Sequence, residues 1–95
     1  MLTHVVFFKL KDKSQETLQK IKTDLLALKD KIALIKSIEV GLDILHTERS
    51  YDVVLYTKFD SLEDMQAYQV HPEHVKFGEY IQTVKESIVA VDFES

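Results

Sequence analysis

The residues best equipped for chemistry gather in "YQVHPEHVKF", Tyr68 to Phe77, where His71 and His74 stand three positions apart around Pro72 and a tyrosine precedes them. Positions i and i+3 share a helix face, so this pair is a candidate for metal ligation or for acid–base catalysis. A metal needs a third ligand. His4, Glu73 and Asp92 can be named for it, but neither HExxH nor any other zinc spacing is present, and no tightly bound metal is expected. Pro72 fits the first turn of a helix and holds His71 out of the α region, which makes His71 a helix cap and places His74 in the first turn. There the positive end of the helix dipole disfavours an imidazolium. A neutral imidazole in an apolar pocket is a competent general base.

His4 raises a related question, because it is a polar residue inside the apolar run "LTHVVFFKL". On ordinary grounds it is a core histidine with a satisfied hydrogen bond, and Tyr68 is a half-buried residue at a helix end with its hydroxyl in water. Other chemistry finds no support. The chain has no cysteine, which excludes thiolate catalysis and sulfur-based zinc sites, and it lacks GxGxxG, GxxxxGK[ST] and GxSxG.

These residues must be positioned by a small fold. "LTHVVFFKL", Leu2 to Leu10, is rich in β-branched and aromatic residues and predicts a first strand. From Ser14, an N-cap, Leu18, Ile21, Leu25, Leu28 and Ile32 recur at helical spacing. "IKSIEVGLDIL" alternates Ile38, Val40, Leu42 and Ile44 against polar residues, with Gly41 as a candidate bulge, and "YDVVLYTKF" follows as the second arm of an antiparallel hairpin. "SLED" is a capping-box pattern that starts a short helix through about Tyr68. The helix from Pro72 has Val75, Tyr80, Ile81 and Val84 for a buried side, and Ile88 to Phe93 closes the chain as a fourth strand. The order β-α-β-β-α-β is ferredoxin-like: an α+β fold with a four-stranded antiparallel sheet and helices on one face, here as a single domain over residues 1–95.

In such a fold the second sheet face has no cover. In the first strand Leu2, His4, Val6, Phe8 and Leu10 form the more apolar set, expected beneath the helices, while the alternate set still carries Val5 and Phe7. The third strand repeats this, with Tyr51, Val53, Leu55, Thr57 and Phe59 on one side and Val54 and Tyr56 among the alternates. Val5, Phe7, Val54 and Tyr56 therefore predict an apolar patch that needs a partner, and the 95-residue length makes a second copy of the chain a natural one.

Bulk composition narrows the partners. The formal charge is -4 and no basic block is present, so nucleic acid is not expected. Apolar stretches are too short to span a bilayer, no signal-peptide pattern opens the chain, and a cytoplasmic location is expected. There is no asparagine and hence no acceptor for N-glycosylation.

Along essentially its whole length the sequence resembles the stress-responsive α/β-barrel family, the Dabb proteins. The likeness is carried by "HVVFFKLK", "IEVGLD", "YDVVLYTKFDSLEDMQAY", "HPEHVKFG" and "VAVDFE". It implies a ferredoxin-like subunit and a homodimer whose two sheets pack into an α/β barrel. By likeness to a plant polyketide cyclase of that family, His4 holds the substrate, Tyr68 binds and polarises it, and His74 is the base of an aldol-type ring closure. Phe77 and Gly78 match its pocket lining, and no cofactor is implied. The readings to be separated are a cofactor-free cyclase or lyase acting on a small apolar carbonyl compound, and a non-catalytic stress-associated dimer. A heme- or oxygen-using monooxygenase of the wider dimeric-barrel group is disfavoured by the absence of tryptophan and of a distinctive axial-ligand context.

Overall fold

The computed structural model describes residues 1–95 and has the element order β1 (Leu2–Leu10), α1 (Gln15–Lys31), β2 (Ser37–Leu42), β3 (Val53–Phe59), α2 (Leu62–Gln69), α3 (Pro72–Val84) and β4 (Lys85–Glu94). The strands form one antiparallel sheet in the order β2-β3-β1-β4, the ferredoxin-like arrangement that the sequence predicts. β1 is central, so its side chains address both halves of the sheet.

Local chemistry accounts for the helix starts. The Ser14 hydroxyl accepts from Thr17 N–H and the Ser61 hydroxyl from Asp64 N–H, each satisfying a backbone donor that the first turn leaves free. At α3 the cap is a histidine: His71 Nδ1 accepts from Glu73 N–H at 3.1 Å, with Pro72 at the first helical position. The stripe Leu18, Ile21, Leu25 and Leu28 of α1 is buried against Val6, Phe8, Val53, Leu55 and Phe59 of the sheet.

Four local expectations are corrected. β2 stops at Leu42, and Ile44, which the alternation assigned to the strand, is 91% exposed in the following loop. Gly41 sits in regular register opposite Val54, without a bulge; a Cβ there would meet Val54 Cγ1 at 3.0 Å, so close cross-strand approach is its physical reason. Val75 faces out of α3, whose buried positions are Phe77 and Ile81, because the helix is rotated to lay those residues toward α1 and the sheet. Tyr51 precedes β3, and its ring lies beside Phe7 at 6.4 Å, on the face opposite the helices.

That open face carries the predicted patch. Val5 stands across from Tyr56 and Phe7 across from Val54, so the four side chains are direct cross-strand neighbours. β4 extends the patch with Val89, Val91 and Phe93, all exposed large apolar residues.

Candidate active site

His4 projects from the helix-covered face of β1 and is only 4% exposed. Its cross-strand neighbour is Asp92 of β4, and its Nδ1 is hydrogen-bonded to the Asp92 carboxylate. A carboxylate accepts, so Nδ1 carries the proton and Nε2 keeps its lone pair in the neutral ring. His74, in the first turn of α3, is held in the same sense. Its Nδ1 lies 3.1 Å from the backbone carbonyl oxygen of Gln69, which can only accept, so the proton is again on Nδ1 and Nε2 is left free. Burial pushes the His74 pKa below the ordinary imidazole value, with nearby His4 and His71 acting in the same direction and the Gln69 carbonyl opposing them.

Tyr68, the last buried residue of α2, packs against both. Its ring centroid is 4.5 Å from that of His74 and 6.2 Å from that of His4, and Phe59 packs behind it at 4.9 Å. The expectation of a hydroxyl in water fails: Tyr68 is fully buried and its oxygen has no hydrogen-bond partner. Desolvation raises its pKa, so the phenol is protonated at neutral pH and remains a donor without an acceptor.

His4 and His74 also meet at a cavity of about 260 Å³ between the sheet and α3. Apart from the histidines, Gln69 and Gln82, its walls are apolar, with Val6, Phe8, Leu55, Phe77 and Ile81 prominent. Gly78 is in the lining, as the family likeness implies; Tyr68 is not, and stands behind the histidines. His71 is not in the lining either, because its Nδ1 is engaged as the helix cap. The HPxH pair therefore divides, one ring building the helix start and the other facing the cavity. Val5, Phe7, Val54 and Tyr56 lie on the opposite sheet face and take no part here.

Sequence reasoning named Asp92 without assigning it to His4. The signal was available in principle, since antiparallel register between the first and last strands sets a late β4 residue opposite an early β1 residue. The Gln69 carbonyl carries no side-chain signal and could come only from the backbone path through the α2–α3 break.

The fold agrees with family comparison. The chain belongs to the Dabb family: the stress responsive A/B barrel domain model matches residues 2–95. It is 29% identical over 98 residues to the stress-response A/B barrel domain-containing protein DABB1 of Arabidopsis thaliana, a match covering 98% of this chain and 46% of that protein. It thus spans about half the length of that relative. It is also 29% identical over 94 residues to olivetolic acid cyclase of Cannabis sativa, with 95% of this chain and 92% of the cyclase covered. Among solved structures, a dimeric protein of ferredoxin-like fold from Bacteroides fragilis superposes with a TM-score of 0.88 at 36% identity, over 99% of this chain and 95% of that one.

Proposed function

We propose that the protein is a cofactor-free enzyme of proton transfer, of the cyclase or lyase type, acting on a small and mostly apolar carbonyl compound. One observation carries this reading: two imidazoles, each with Nδ1 fixed by an acceptor and Nε2 free, converge on one cavity whose other walls are largely apolar. The likeness to olivetolic acid cyclase, 29% identical over 94 residues, supports it.

In the reaction, His74 Nε2 takes a proton from the carbon beside the carbonyl, and the C–H electron pair moves to the carbonyl oxygen as an enolate. Depressed basicity suits His74 to the task, because the ring stays neutral near pH 7 and is a base before it is a cation. Charge gathering on the oxygen needs donors. By likeness to the cyclase His4 holds the substrate, its ring oriented by Asp92 and facing the cavity, while the unpartnered Tyr68 hydroxyl lies behind the two rings and outside the lining. The enolate carbon then attacks a second carbonyl, closing a ring, or expels a leaving group, and His74 returns its proton.

The working unit of this reading is a homodimer joined through the open sheet faces. The contiguous patch of half-buried Val5, Phe7 and Val54 with exposed Tyr56, widened by exposed Val89, Val91 and Phe93 of β4, is larger than singly scattered apolar residues would make, and the Bacteroides fragilis relative is dimeric. The same patch favours the second reading, a non-catalytic stress-associated dimer. The cavity beside His74 weighs for the enzyme, since a purely structural core would be filled there.

Imidazole nitrogen NMR tests the arrangement. Long-range ¹H–¹⁵N spectra should show His74 protonated at Nδ1 and bare at Nε2, with the Nε2 resonance moving on titration with acetophenone. A His74 protonated at Nε2, or resonances indifferent to the ketone, would count against the proposal.

A further inference from the structure

The cavity has one side that the fold leaves thin. The cavity lies between α3 and the β1–β4 pair, which supply most of its lining, with His4 and His74, both packed on Tyr68, at one end and the bond from Lys11 N–H to the Val84 carbonyl beyond the other. From His4 to Phe8 the strand spans roughly 13 Å, and from His74 to Gln82 the helix spans roughly 12 Å. The histidine end is closed by Tyr68 and by the His4–Asp92 pair, and the inner wall by Leu25 and Leu55. The outer wall is edge strand β4, which presents Ile88 and Ala90 to the cavity, and across it stands the middle of α3. Ala90 and Gln82 are exposed and Gly78 is half-buried, so solvent reaches the cavity on this side.

Two small residues stand there without a packing reason. Gly78 is in the interior of α3, where alanine is favoured over glycine. It has no positive φ, and a Cβ built on it meets nothing within 4 Å, in contrast to Gly41 against Val54. Neither strain nor close approach explains it. Ala90, paired with Val6, interrupts the β-branched run Ile88, Val89 and Val91 within β4, at a position where a β-branched residue suits a strand better. Both line the cavity at its middle.

We propose that ligand enters the cavity sideways through the gap between α3 and β4, and that Gly78 and Ala90 set the width of what it admits. This rests on the reading of the cavity as a carbonyl site and deepens it: the substrate is narrow at the point that passes these residues, an unbranched or singly substituted carbonyl compound. A methyl group on Gly78 or a branched side chain at position 90 would occupy the space the ligand crosses.

A graded series tests it: 4-fluoroacetophenone, 4-fluoropropiophenone and 4-fluorobutyrophenone, with binding read by ¹⁹F NMR on the full chain. Gly78→Val and Ala90→Leu should each weaken the largest ketone bound by the wild type at least fivefold. Gly78→Ala, which adds one methyl group where nothing stands, should fold at least as stably and shift binding in the same direction. Smaller changes in both bulky variants, with Gly78→Ala binding as the wild type does, would overturn the entrance and leave the site reading intact. A wild type that binds none of the three ketones would overturn the site reading, and the entrance with it.

Discussion

Replacing Tyr68 by phenylalanine removes one oxygen and leaves the ring, so it isolates what the hydroxyl does. The ring packs between Phe59, His4 and His74 at centroid distances of 4.9, 6.2 and 4.5 Å, and phenylalanine keeps those contacts. The oxygen is fully buried without a partner. A hydroxyl taken from water into that condition costs about 1–3 kcal/mol on mutational evidence, so its removal should stabilise the fold by about 1 kcal/mol or more. For a domain of this size each kcal/mol moves the thermal midpoint by roughly 4–8 °C. Circular dichroism melts and urea titrations at one fixed protein concentration provide the readout, with an unchanged urea slope showing that the two states being compared are the same. Ketone binding should change little in the same variant, because the hydroxyl is buried behind the two histidine rings and outside the cavity lining. A loss of 1 kcal/mol or more in Tyr68→Phe would refute the reasoning, since it would mean that the hydroxyl is satisfied in the folded protein.

Two further outcomes follow from other parts of the structure. Phe7→Lys places an ammonium in the middle of the open apolar face and should weaken self-association by several kcal/mol, giving monomers in sedimentation at micromolar concentration; an unchanged sedimentation coefficient would assign the dimer to another surface. His74 sets a pH dependence of known sign: burial depresses its folded-state pKa, so its contribution to stability is full above the ordinary imidazole value near 6.5 and is lost as pH falls through the folded value, because the unfolded chain takes up the proton first. In pH titrations of stability, His74→Ala should flatten that acid limb, and a limb of unchanged slope would show that another group carries it.

Much of this was legible in the sequence because the signals are local. The apolar periods of α1 and β1, the serine caps, and Pro72 after a histidine fix elements without reference to distant residues, and the structure keeps each of them. The errors fall where periodicity was extended past the point at which tertiary contacts decide. Ile44 continues the alternation of β2 on paper, but the ladder with β3 ends at Leu42 and one last backbone bond, from Asp43 N–H to the Asp52 carbonyl, leaves Ile44 beyond it in the loop. Val75 fits a helical stripe, yet the rotation of α3 is set by Phe77 on Phe8, with ring centroids 6.3 Å apart. At the site, His4 and His74 were recognisable as histidines out of place, one on an apolar strand and one at a helix start. What fixes their tautomers was not, because Asp92 reaches His4 only through the register of strands at opposite ends of the chain, and Gln69 acts through its backbone.

The central claim is that His74 moves a proton to and from carbon beside a carbonyl, and exchange at that carbon reads the step without knowledge of the natural substrate. In D₂O the methyl protons of acetophenone are replaced by deuterium as the enolate forms and reprotonates, and ¹H NMR follows their loss directly. The wild type should accelerate exchange over buffer, and His74→Ala, shown by circular dichroism to keep its fold, should lose about 10²-fold or more of that acceleration, the usual contribution of a positioned general base. No acceleration by the wild type, or acceleration that survives in His74→Ala, would contradict the account.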